Sequence, residues 1–168
     1  MSNKNQTLLE ALKKAILAEV EGRHFYLMAA QNTADEQGRL TLMQLADEEL
    51  LHIAFLHKQY KSISESGRID AEASLGKHPE SSSPIFSQNL KTRAKEAHYE
   101  MSALSIALQL ENSAIIFYTE QAKQTELPEA KHFFTELANW EIGHKRAIEF
   151  QLEELKDAYW SENFFSPL

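Results

Sequence analysis

LADEELLH at residues 45–52 and LANWEIGH at residues 137–144 are two versions of one segment, 92 residues apart. The same offset, without a gap, carries Ala15 onto Ala107, Glu19 onto Glu111, Phe25 onto Phe117, Tyr26 onto Tyr118 and Ala30 onto Ala122. Glu49 falls on Glu141 and His52 on His144. Self-similarity over this length marks a duplicated supersecondary unit. Duplication accounts for a pattern occurring twice. It does not account for both copies keeping Glu, Glu and His while neighbours such as Asp35 and Leu127 diverged.

Around these segments, apolar residues recur at three- and four-residue spacing, the helical period. The first such stretch runs from about Thr7 to Thr33 through Leu8, Leu12, Ile16 and Phe25, and a polar break at residues 33–38 ends it. The second runs from about Arg39 to Ile63 and the third from about Met101 to Gln124. Pro128 stands where a first-turn proline belongs and opens a fourth stretch reaching about Tyr159. Short links within each pair make antiparallel neighbours. The link between pairs, residues 64–99, holds SESG and KHPESSSP. It is long enough to cross a helix of about 37 Å, at about 1.5 Å per residue, with room for a short helix near residues 87–96. The expected fold is all-α: one domain over residues 1–168, an antiparallel four-helix bundle of two duplicated hairpins joined by a long crossover. The tail, residues 159–168, carries Tyr159, Trp160, Phe164 and Phe165. It is expected to pack on the bundle or across a homodimer.

Composition narrows the chemistry. The chain has 168 residues and no cysteine. That removes disulfides, thiol nucleophiles and cysteine-held zinc or iron–sulfur centres from this chain, and it fits a reducing compartment. A net charge of −8 with no basic run argues against nucleic acid. No stretch approaches the roughly 20 apolar residues of a membrane span, and the N-terminus lacks the pattern of a secretory signal. A cytoplasmic address follows as the expectation.

The duplicated polar residues fall on faces that should be buried. Residues three apart share a helix face, so Glu49 lies with His52 and Glu141 with His144, flanked by Leu45, Leu56, Leu137 and Ile148. Glu19 and Glu111 join them from the first and third helices. Four converging carboxylates are costly in an apolar core, because burial and like charge both disfavour ionisation. No cation repeats on these faces: Lys14 and Arg23 correspond to Ile106 and Ile115. Two divalent ions would balance the four carboxylates, with two neutral imidazoles completing the ligand set. One Glu from each of two helices and Glu-x-x-His from each of the others is the ligand set of di-iron and di-manganese bundles. Oxygen-rich ligation suits iron or manganese better than zinc, although a static zinc site stays open. The bland alternative is a salt-bridged polar layer left by the duplication.

Together, Glu19 with FY at 25–26, LADEELLH, Glu111 with FY at 117–118, and LANWEIGH resemble the rubrerythrin branch of the ferritin-like superfamily. The resemblance spans all four helices and implies a non-haem di-iron centre that reacts with hydrogen peroxide or dioxygen. It implies that Glu19 and Glu111 are single-helix ligands, Glu49 and Glu141 bridging carboxylates, and His52 and His144 terminal ligands. Tyr26 and Tyr118 would stand behind them and donate hydrogen bonds to ligand carboxylates. Typical rubrerythrins add a cysteine-ligated rubredoxin-like domain, so a separate electron-donor protein such as rubredoxin is expected here. They also carry an extra glutamate on the third helix, where this chain reads Asn112, Ser113, Ala114 and Ile115. Storage ferritins, which end in a fifth helix, resemble it less.

Three other functions compete: ferroxidase or iron handling, a structural or regulatory metal-binding bundle, and an oxygenase. The last needs an apolar pocket beside the metals, which the tight stripe of the repeat does not suggest. His24, His57, His78, His98 and His132 do not repeat and read as surface or capping residues. Trp140, the counterpart of Glu48, reads as packing beside the ligand face.

Overall fold

A computed structural model of the protein describes residues 3–70, 72–73, 75, 85–92 and 97–162. Four long helices, α1 (Asn3–Asn32), α2 (Glu36–Ser66), α4 (His98–Gln124) and α5 (Pro128–Glu162), form two hairpins. A four-residue helix, α3 (Gln88–Lys91), sits in the crossover. No strand occurs among the described residues. The antiparallel four-helix bundle expected from the repeat is the observed architecture. Each long helix runs past the boundary that apolar periodicity marks at one end at least, because polar end turns continue the helix without contributing to the stripe. Of the helix expected near residues 87–96, the described part is α3. Residues 93–96, His78 and the tail residues Phe164 and Phe165 lie outside the described residues.

Local chemistry sets the ends. Asp35 caps α2, its side chain accepting from the Gly38 amide at 2.8 Å. Gly67, at φ 71°, ends α2 in the left-handed conformation, and its amide returns to the Ile63 carbonyl. Pro128 is the first residue of α5.

Contacts at the two ends fix the topology. At one end Lys4 pairs with Glu126, and Asn5 donates to the Gly67 carbonyl at 3.0 Å. The start of α1 and the ends of α2 and α4 therefore meet there. At the other end Thr33 donates to Glu100 at 2.8 Å, and Ser87 bonds Asp35 through both its amide and its hydroxyl. The crossover traverses the bundle, so α4 runs antiparallel to α1.

Two buried glutamines clamp that crossover. Gln59 donates to the Asp70 carbonyl at 2.9 Å and accepts from the Asp70 amide at 3.0 Å. Gln151 accepts from the Phe86 amide at 3.0 Å. They stand 92 residues apart, a further pair of the internal repeat. Phe86 is itself buried over Gly38, where an added Cβ would fall 2.1 Å from the ring.

The apolar core forms two layers. One contains Leu42, Leu45, Leu104, Ile148 and Leu152; the other contains Leu12, Leu56, Ile63, Phe134 and Leu137. Each such aliphatic side chain contributes about 1.5–3 kcal/mol by leaving water. Along α2 the sequence passes from Leu45 in the first layer to Leu56 in the second, and Glu49 and His52 fall between them. The polar residues thus occupy mid-bundle. No helix among the described residues is long and apolar enough to cross a membrane.

Candidate metal centre

All six acidic and histidine residues singled out by the repeat converge. Glu19, Glu49, Glu111, Glu141, His52 and His144 are each at most 4% exposed. They form two overlapping groups, Glu19–Glu49–His52–Glu141 and Glu49–Glu111–Glu141–His144. Within each group, one ligand atom per residue lies within 4.8 Å of the others. Glu49 and Glu141 belong to both. Each hairpin supplies three residues of one group and one of the other.

Both imidazoles turn Nδ1 toward the shared carboxylates. His52 Nδ1 is 3.0 Å from Glu141, 3.1 Å from Glu49 and 3.4 Å from Glu19. His144 Nδ1 is 3.2 Å from Glu141, 3.5 Å from Glu49 and 3.8 Å from Glu111. The tyrosines cross between hairpins: Tyr26 donates to Glu111, and Tyr118 to Glu19. Burial, reinforced by the facing carboxylates, raises both phenols well above their usual range, so they remain donors.

The six groups shift one another in opposite directions. Burial, then the Glu141 and Glu49 charges, raise Glu19 well above the usual carboxylate range. Burial and Glu141 do the same to Glu111. Burial also opposes ionisation of Glu49 and Glu141, but there the bonds and charges of their partners prevail. Glu49, bonded by Glu19, His144 and His52, falls to about 2. Glu141, facing both imidazoles, falls well below its usual value. Burial works against protonating the histidines, yet the surrounding carboxylates raise both well above the usual imidazole range.

The donor set fits two divalent cations. Glu141 Oε1 is buried and makes no aligned hydrogen bond among the described residues, although His52 Nδ1 lies 3.0 Å away. Four carboxylates and two imidazole nitrogens would meet two ions with charge balance and with hard oxygen donors in the majority. Site and solvent also connect. A cavity of about 430 Å³ between α1 and α4 touches Glu19, Glu49, Glu111, Glu141 and both tyrosines, and its wall includes Ala18, Gly22 and Ala114. Gly22 stands over Glu49, its added Cβ falling 4.0 Å from the carboxyl carbon. This corrects the expectation that the stripe leaves no apolar pocket. The small side chains of Ala18, Gly22 and Ala114 leave this space open between the helices above the stripe.

Two features escaped the sequence reading. Glu48 is buried and accepts from His144 Nε2 at 2.8 Å, steadied by Gln44 donating at 2.9 Å. Its identity as a charged residue beside a ligand was the available signal. The glutamine clamps escaped as well, although the 92-residue offset pairs them. Trp140 is 4% exposed and stands edge-on to His52 at 5.2 Å between ring centres, the packing place expected for it. His24, His57, His98 and His132 are exposed, as expected.

The family model described as Rubrerythrin matches residues 10–105 and 102–164 of this chain. No curated protein and no solved structure matches it significantly.

Proposed function

The chain belongs to the rubrerythrin family, and on that premise we propose that it is a non-haem di-iron protein that reduces hydrogen peroxide or dioxygen. The observation that carries the reading is the pair of overlapping buried ligand groups opening on a cavity large enough for a small oxidant. Two Fe(II) ions would together supply the two electrons that, with two protons, take hydrogen peroxide to two waters or dioxygen to peroxide. Glu49 and Glu141 would hold both ions, Glu19 with His52 one of them, and Glu111 with His144 the other. Tyr26 and Tyr118 fix the orientations of Glu111 and Glu19 through their hydroxyls. The hydrophobic layers on either side exclude bulk water and strengthen each polar contact. The small side chains of Ala18, Gly22 and Ala114 admit a diatomic or peroxide molecule.

A separate electron-donor protein such as rubredoxin, a homodimeric assembly and a cytoplasmic address belong to the same proposal. The position of the extra rubrerythrin glutamate reads Asn112 to Ile115 here, so ligand exchange at that point is not part of the mechanism proposed.

Metal analysis after anaerobic purification, followed by optical spectra during peroxide addition to the Fe(II) form, tests the reading. About two irons per chain and rapid growth of near-ultraviolet ligand-to-metal absorption are expected. Zinc or no metal, with no spectral response after reconstitution with iron, would leave a static metal-binding bundle. The cavity volume also supports a second reading, oxidation of a small organic substrate, since ligand pockets begin at about 300 Å³. Product analysis with and without added organic reductants separates the two.

A further inference from the structure

We infer that the two metal positions are unequal, and that the position built on His144 is filled before the one built on His52. The inference rests on the proposed di-iron reading and concerns two residues that the repeat places at equivalent sites, Glu48 and Trp140. A histidine that ligates through Nδ1 must carry its remaining proton on Nε2. That proton needs an acceptor when the ring is buried. Such acceptors hold the ring and raise its basicity, and losing one typically costs about 10–100-fold in metal affinity.

His144 has the acceptor. Glu48, on the opposite hairpin, meets its Nε2 at 2.8 Å, and Gln44 holds the Glu48 carboxylate from behind at 2.9 Å. His52 lacks one. Its ring is fully buried, and Nε2 has no hydrogen-bond partner among the described residues. At the place equivalent to Glu48, the chain carries Trp140, whose ring lies 5.2 Å from the His52 ring, centre to centre, at an interplanar angle of 84°. An indole nitrogen donates and cannot accept, so Trp140 packs the ring without serving its proton. The ligand sets of the two positions are paired: each has one private glutamate, one tyrosine behind it and the same two shared carboxylates. Behind the imidazoles, the difference in residue type falls at one duplicated position. Glu48 acts as a positioning residue, reaching the metal through His144.

Single-position variants make this measurable without turnover. Calorimetric titration of the metal-free protein with Co(II) under anaerobic conditions is expected to give two ions per chain. His52→Ala, which keeps the His144 position, should retain one ion at the wild-type first-step affinity. His144→Ala should retain one ion bound about 10–100-fold more weakly. Glu48→Ala should weaken the ion in His52→Ala by about the same factor and leave the ion in His144→Ala unchanged. Glu48→Gln, which keeps a neutral acceptor of the same shape, should recover part of the loss. Circular dichroism of each metal-free variant establishes that helix content is retained. Equal affinities in the two histidine variants, or an equal effect of Glu48→Ala on both, would overturn the inequality while leaving the two-ion reading intact. Failure of the wild-type protein to bind two ions would instead overturn that reading itself.

Discussion

Loading the cluster with metal must displace the protons that its raised groups hold in the metal-free protein. Glu19 and Glu111 are raised well above the usual carboxylate range by burial and their carboxylate neighbours, and His52 and His144 are raised well above the usual imidazole range by the carboxylates around them, against their burial. All four shifts favour the protonated form, whereas Glu49, at about 2, and Glu141, held below its usual value, favour the ionised one. Ligation requires all six to be metal-competent, so binding two divalent ions releases the protons that those four residues hold. The sign follows directly. Groups with raised pKa values keep their protons as the pH falls and compete with the ions, so affinity weakens toward acid. Each proton released changes the product of the two binding constants by about tenfold per pH unit, or about 1.36 kcal/mol. Calorimetric titration with Co(II) in buffers of different ionisation enthalpy counts the protons at pH 6 and pH 7. Binding without proton release, or affinities independent of pH across that interval, would overturn this linkage.

Gly38→Ala should destabilise the fold by about 1–3 kcal/mol through overpacking against Phe86, despite the better helix propensity of alanine. Thermal melts of the single variants and of Gly38→Ala with Phe86→Leu would reveal the coupling, and additivity would speak against the clash. Tyr118→Phe removes the donor to Glu19 at the cost of about 0.5–1.5 kcal/mol. Urea unfolding checks this, and an unchanged midpoint would mean that the hydroxyl contributes nothing. Gly22→Leu should fill the cavity above Glu49 and slow the reaction with peroxide at least several-fold, with two ions still bound. Stopped-flow spectra beside metal analysis decide it, and an undiminished rate would place the route of entry elsewhere.

The repeat made the bundle legible because its two copies preserve the inward face and let the remainder drift. Glu19, Glu49 and His52 could be grouped with Glu111, Glu141 and His144 before any coordinates, since burial of so many like charges demands a shared explanation. Tyr26 and Tyr118 were legible as donors to ligand carboxylates. That each crosses to the opposite hairpin was not, because helix periodicity gives the face of a residue and not its partner. Glu48 was hidden by adjacency: beside a ligand glutamate, an acidic residue reads as a solvated face until the neighbouring helix is placed against it. The cavity was hidden for a related reason. Ala18, Gly22 and Ala114 signal close approach of helices in sequence, whereas here they leave space between α1 and α4. Gln59 and Gln151 satisfied the repeat rule and went unread because neither carries charge.

The hairpins approach one another far more sparingly than the helices within each hairpin do. Each candidate ion position nevertheless takes three residues from one hairpin and the fourth from the other, and both tyrosine bonds span the same divide. A bound ion is thus a rivet through a seam, and the fold keeps its sparsest joint where its fasteners are strongest. Stripped of metal, the molecule should open along that seam first, the two hairpins parting as keyed halves while each retains its helices. Loss of the bound ions would then be felt as a mechanical event as well as a chemical one.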